Sequence, residues 1–239
     1  MPGWQALHEA LAPQGVTVVT VALDVRPEDT YQWIDAAAPT HPSLIDTTHA
    51  TGALFGFLNI PMAVWIDEDG VLVRPAEGAS IEPSPLRSME IPEGLPERIE
   101  QMFREVKKMP DTAIEYRAAL EDWVHRGAES PFALSPDEVV ARSQPRSSDQ
   151  ARAAACFELG EHLRRTVGAD AAVPWWREAH RLFPENWTYK RQAWTLVTTA
   201  PDATQNDLMQ GPNDVYEGNW LDDVIASGGG EAYVVVPQL

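Results

Sequence analysis

Few side chains in this sequence are of a type and spacing that could carry out chemistry. Its six histidines are scattered, and the nearest approach to a ligand set is His41, Asp46 and His49. No further ligand is evident beside them, the segment reads as a loop leading into a helix, and an unsupported histidine pair is a weak zinc signal. Neither a metal nor a cofactor is expected. A single cysteine, Cys156, excludes an intramolecular disulfide, a CxxC pair and a cysteine-based zinc site within this chain. It stands six residues before His162 on a predicted helix, so the two side chains point in different directions, and its simplest role is that of a small core residue. Walker, GxGxxG and GxSxG patterns are absent, and the glycines at 228–230 lack a following Lys-Ser/Thr and read as a flexible turn. Asp67, Glu68 and Asp69 suit a hairpin tip. What remains is a proline. Asn59-Ile60-Pro61 stands immediately ahead of the apolar run 62–66, and a proline that cannot donate to a sheet ladder must begin the strand or occupy a special turn.

The elements that would hold these residues follow from the apolar periodicity. Leu7 and Leu11, four apart, with Trp4, mark the end of an amphipathic helix that Pro13 and Gly15 terminate. The β-branched run 16–23 predicts a strand covered on both faces. Pro27 opens a helix through Tyr31, Trp33 and Ile34, closed by Pro39, and residues 43–45 and 47–57 read as a short strand and a short helix. Residues 62–66 predict a second buried strand, turning at 67–70 into a hairpin partner at 71–73. Helix, strand, helix, strand, helix and hairpin in that order imply an α/β layer over residues 1–80.

Residues 81–125 read as a Pro-, Ser- and Glu-rich connection followed by helices. In the first of these, Leu95, Ile99, Met102, Phe103 and Val106 share a face and Lys107 and Lys108 suit the C-terminal end. A second follows over 114–124. Residues 126–148, with three prolines and five serines, predict a linker with little regular structure. A helical domain is expected over 149–200 and a turn-rich tail over 201–239, where residues 233–236 either add an edge strand or pack on the helices. Within the helical domain, Cys156, Leu159, Gly160, Leu163, Ala172, Trp176, Ala179 and Pro184 fall at the spacings of one tetratricopeptide repeat, with Cys156 in place of the usual aromatic. Gly160, Ala172 and Ala179 would let two helices approach closely while Leu159, Leu163 and Trp176 fill the contact, and Pro184 would end the second helix. Such a unit offers either a concave surface for a peptide partner or a helical cap that only packs; one repeat cannot bury its face alone.

Eighteen Lys plus Arg against thirty-six Asp plus Glu leave a formal charge of −18. That is a poor surface for a polyanion, since nucleic-acid affinity rests on neutralising phosphates. Neither nucleic acid nor a membrane is expected as a partner: no apolar stretch approaches the ~20 residues that span a bilayer, and the first residues lack the basic and apolar regions of a signal peptide. A cytoplasmic protein is expected.

Around Pro61 the sequence resembles the thioredoxin-like superfamily, in particular its TlpA/ResA and peroxiredoxin-like (AhpC/TSA) branch. That family has a proline loop of the form [G/I]-[V/I]-P-T, with a cis bond, and then a strand ending Ile-Asp-x-x-Gly, matched by residues 59–70. An earlier strand, G-V-x-V-V-x-V-x-x-D, is matched by Gly15 to Asp24, and Pro2 to Leu7 resemble the continuation of the redox helix. The resemblance covers about residues 1–76. It implies thiol- or selenol-disulfide exchange with a protein or peptide substrate, in which Ile60, Pro61 and Met62 face the substrate backbone. The family's nucleophile pair and central strand would precede residue 1, so no catalytic residue is expected in the chain as given and it should be redox-inactive. The opening in mid-helix suggests that Met1 is a start set downstream of a WAxxUGC motif whose selenocysteine codon was read as stop. Met62 departs from the usual Thr. The fold expected is therefore a thioredoxin-like α/β domain missing its first strand, joined to an α-helical, tetratricopeptide-like domain. The alternative is a non-enzymatic interaction module.

Overall fold

The computed structural model describes residues 2–143, 145–196 and 218–239. Met1, the end of the predicted helical domain at 197–200 and the first part of the turn-rich tail, 201–217, lie outside the described residues. In chain order the elements are α1 (Pro2–Leu11), β1 (Thr20–Leu23), α2 (Glu28–Ala37), β2 (Ser43–Asp46), α3 (Ala50–Phe55), β3 (Met62–Ile66) and β4 (Leu72–Gly78). The helices α4 (Pro85–Ser88), α5 (Glu97–Lys108), α6 (Ala113–Arg126), α7 (Pro136–Ser143), α8 (Ser148–Thr166), α9 (Ala169–Leu182), α10 (Trp187–Leu196), α11 (Trp220–Ala226) and α12 (Gly230–Tyr233) complete them. Helix dominates, and none of the described helices is long and apolar enough to cross a membrane.

The chain folds into two units that do not follow sequence order. One comprises Met1–Glu82, Thr112–Pro145 and Pro237–Leu239; the other comprises Pro83–Asp111 and Arg146–Val236. In the first, β1 and β2 pair in parallel with Thr20 opposite Ser43 and Leu23 opposite Asp46, as a crossover through α2 requires. β3 and β4 form an antiparallel hairpin, with Met62 opposite Gly78, that bulges around Trp65. The two pairs are separate two-stranded sheets.

That separation overturns the expectation of a fully covered strand over residues 16–23. Only Thr20–Leu23 is strand, all four residues are half-buried, and among the described residues β2 is the one strand that pairs with β1. Leu44 of β2 stays 53% exposed. Within β3 only Trp65 is buried, while Ile66 is exposed. The core of this unit lies instead between α1, the hairpin and α6: Leu7, Leu11, Trp65, Val73, Tyr116, Ala119 and Leu120 are buried together. The Trp65 indole N–H donates to the Tyr116 hydroxyl at 2.8 Å and the ring stacks on Trp123. Burial pushes the Tyr116 phenol far above its ordinary range.

Residues 126–148 are not an irregular linker. They hold a 3-10 turn at Gly127–Glu129 and α7, whose Val139 is buried. Ser135 and Glu138 begin α7 by exchanging bonds, the Ser135 N–H donating to Glu138 Oε2 at 2.8 Å, and Ser147 and Gln150 form a capping box at α8.

In the second unit α8 and α9 are joined by two residues and lie against one another. Trp176, Ala172 and Ala179 are completely buried, with Phe157, Tyr189, Trp194, Leu221 and Val224. Phe157 stacks on Tyr189 with ring centroids 4.4 Å apart. Pro184 stands two residues past α9, and Asn186 caps α10 by accepting from the Thr188 and Tyr189 N–H groups. Residues 233–236 add no strand; Tyr233 ends α12 and packs edge-on against Trp187 and Trp220. The glycines at 228–230 are a close-approach site: the Gly230 N–H donates to the buried Glu105 carboxylate at 2.9 Å, and a Cβ there would stand 1.9 Å from the Glu105 carbonyl oxygen.

Candidate functional site

The proline ahead of β3 is held from both sides. Asn59 is buried, and its Oδ1 accepts the Ile60 N–H at 2.9 Å. The Ile60–Pro61 bond is cis. The Pro61 carbonyl accepts the Ala79 N–H at 3.1 Å, extending the hairpin by one rung beyond Met62 opposite Gly78. These contacts fix the loop while Ile60 remains 60% exposed and Pro61 exposed. Met62 behaves differently. Its sulfur accepts the Leu58 N–H at 3.3 Å, so the thioether turns back into its own loop.

The histidine and carboxylate side chains of residues 41–49 have structural work. Burial pushes the Asp46 carboxyl up, but hydrogen bonds from the side chain and N–H of Thr51, and then of Thr48, outweigh it and hold the group at about 2. Asp46 thereby tethers the start of α3. His41 is buried with Nδ1 3.1 Å from the Pro42 carbonyl and its ring edge-on to His8. His49 is buried in the left-handed region, φ 57°, a conformation histidine tolerates better than most side chains. Among the described residues no three His, Cys, Asp or Glu side chains are grouped so as to hold a metal ion.

Cys156 lies in the second unit, half-buried at the margin of its core rather than at its centre; the neighbouring Phe157 takes the buried position. Burial and then the Glu178 carboxylate push its thiol up, away from the thiolate that nucleophilic chemistry needs. His162 is exposed.

No protein-family model, no curated protein and no solved structure matches this chain. The site is therefore read from its own geometry.

Two buried charged clusters were not anticipated from the sequence. On β4, Arg74 Nε meets Glu77 Oε1 at 2.5 Å inside the protein, and the guanidinium lies over the Trp65 ring. In the second unit, Lys190 Nζ is 3.1 Å from Asp223 Oδ2 and 4.1 Å from the centre of the Trp187 ring. Burial pulls the Lys190 ammonium down against the opposing pull of Asp223. A usable signal exists for each. A five-residue β3 demands a partner running past Val73, which brings Arg74 into the sheet, and Trp187 and Trp194 flank Lys190 at three and four residues, on one helix face.

Proposed function

We propose that residues 2–82 are the substrate-facing part of a thioredoxin-like unit, completed by a strand that pairs between β1 and β3, in a protein that exchanges a thiol or selenol with disulfides. The observation that carries this is the division of the strands among the described residues into a parallel pair with a helical crossover and an antiparallel hairpin, each with an edge that no described strand pairs. Two-stranded sheets are marginal alone, and open edges are ordinarily paired or covered. The arrangement accords with the resemblance around Pro61 once the family's central strand is left out. In this reading Ile60 and Pro61, both exposed, meet an extended substrate chain.

In that reaction a thiolate or selenolate attacks one sulfur of a substrate disulfide, displaces the other as thiolate, and leaves a mixed disulfide that a second thiol resolves. The chain as given supplies neither nucleophile. Cys156 stands in the other unit with its thiolate disfavoured.

The test is the coding sequence upstream of Met1, followed by a disulfide-reduction assay on the chain extended by it. A Cys- or selenocysteine-containing motif in frame, with turnover lost when that residue becomes Ser, is the expected result. An upstream stop other than UGA with no such motif overturns the proposal. A second proposal is favoured by the Gly160–Trp176 contact between α8 and α9: the second unit is a tetratricopeptide-like module that binds a peptide partner, and the first unit is scaffold. Full-strength partner binding without redox turnover of the extended chain would select it.

A further inference from the structure

A buried ion pair is costly unless its remaining polar atoms are also satisfied. The Arg74–Glu77 pair on β4 satisfies them with main-chain groups. Arg74 Nη1 donates to the Phe132 carbonyl at 3.0 Å, while Nη2 donates both to Glu77 Oε2 at 2.9 Å and to the Gln238 carbonyl at 2.8 Å. Glu77 Oε2 in turn accepts the Gln238 N–H at 3.3 Å, and Arg142 Nη1 donates to the same Gln238 carbonyl at 2.9 Å. One residue of an extended segment thus has its N–H bound by a carboxylate and its C=O by two guanidinium groups. The Arg74 and Glu77 side chains are 1% and 7% exposed.

Nothing in these contacts reads the side chain of residue 238. Gln238 and Leu239 are exposed, and what is buried beside them is Pro237, which brings no N–H that would need a partner. The segment is also returned to this unit after a long excursion, since residues 146–236 belong to the other.

We propose that the Arg74–Glu77 pair, with Arg142, is a clasp for the backbone of an extended Pro-Xaa peptide, occupied in cis by Pro237–Leu239 and open to a partner peptide of the same chemistry when that segment leaves. The pair is also held by groups outside the segment: Arg74 donates to the Phe132 carbonyl and its guanidinium lies over the Trp65 ring. The partner is distinguished by its backbone and its proline, not by charge.

The experiment uses the chain ending at Val236 and the peptide acetyl-Val-Val-Pro-Gln-Leu, followed by calorimetry and thermal unfolding. The expected result is saturable binding to the shortened chain and at least tenfold weaker binding to the full chain, whose own segment competes. Replacing the peptide glutamine by alanine should leave affinity within twofold. Methylating its backbone nitrogen, which removes the N–H that Glu77 accepts, should weaken it at least tenfold, as should Glu77→Gln in the protein. A folded shortened chain that does not bind, or alanine replacement as damaging as N-methylation, overturns the proposal. Should the shortened chain fail to fold, hydrogen exchange of the Gln238 amide in the full chain decides. Exchange faster than global unfolding shows a segment that opens by itself, and exchange only with global unfolding overturns the clasp.

Discussion

Gly160→Ala sets two effects against each other, and the structure says which wins. In a helix interior, alanine is favoured over glycine by about 1 kcal/mol, so an uncrowded α8 would be stabilised. A Cβ built on Gly160, however, stands 2.6 Å from both Cδ1 and Nε1 of Trp176 and 3.3 Å from Cε2. Non-bonded carbons settle at about 3.5–4.0 Å, so roughly 1 Å of separation has to be found between α8 and α9. Trp176 cannot provide it by rotating, because it is fully buried among Phe157, Ala172 and Trp194. Overpacking costs about 1–3 kcal/mol, and a clash with a fixed ring belongs at the upper end. The net destabilisation is about 2 kcal/mol, or roughly 6–10 °C in Tm for a unit of this size. Circular dichroism melts and urea titrations of wild type and Gly160→Ala measure it. A second arm repeats the substitution in a Trp176→Leu background, where the clash is gone; there Gly160→Ala should raise stability by up to about 1 kcal/mol, as propensity alone dictates. A melting temperature for Gly160→Ala at or above that of wild type, with the indole intact, would refute the close approach of the two helices.

Tyr116→Phe removes the acceptor of the buried Trp65 indole N–H and should cost about 1–3 kcal/mol in urea unfolding; an unchanged midpoint would mean that the indole finds another partner. Acid should weaken the fold in two steps. Burial first, and then the Lys190 ammonium, hold His180 at about 4 against an ordinary 6.5, with Asp223 opposing. The unfolded chain therefore binds the proton more readily, and stability is full above pH 6.5 and falls between pH 6.5 and 4. The difference is worth at most about 3 kcal/mol, and about 1–2 once partial exposure is allowed for. Asp46, held at about 2, contributes stability that is full above pH 3.8 and is lost as pH falls toward 2. His180→Gln should flatten the first step and leave the second, as read from unfolding midpoints across pH. Leu44→Lys places a charge on an exposed strand position; it should leave Tm within about 2 °C and reduce concentration-dependent light scattering, because lysine on a strand opposes edge-to-edge association.

The helix pair α8–α9 was legible because its signal is local. Small residues at 160, 172 and 179, a tryptophan at 176 and a proline at 184 encode a contact between segments only a few residues apart. Strand burial was not, since the cover of a strand comes from distant neighbours. Residues 16–23 carry the apolar run of a central strand, yet among the described residues β1 pairs with β2 alone and stays half-exposed. The stretch 126–148 shows composition misleading where position informs. Its serines and prolines suggest a linker when counted, but Pro136 occupies the first turn of α7 and Ser135 and Ser147 stand directly before α7 and α8. These are helix-start residues in helix-start positions.

The buried charges follow a rule that patterning by polarity alone misses. Arg74 is the register partner of Trp65 across the hairpin, and Lys190 has Trp187 one turn before it and Trp194 one turn after. In each case a long aliphatic stem runs along aromatic surface and the cation rests on a ring face. Each cation also has a carboxylate partner, Glu77 or Asp223. A basic residue opposite tryptophan at cross-strand or one-turn spacing is therefore better read as interior than as solvated. Applied to this chain, that rule extends β4 past Val73 and moves Arg74 and Glu77 inside. It also leaves Nη2 and Oε2 of that pair needing one donor and one acceptor from elsewhere, a requirement that the backbone of Gln238 meets.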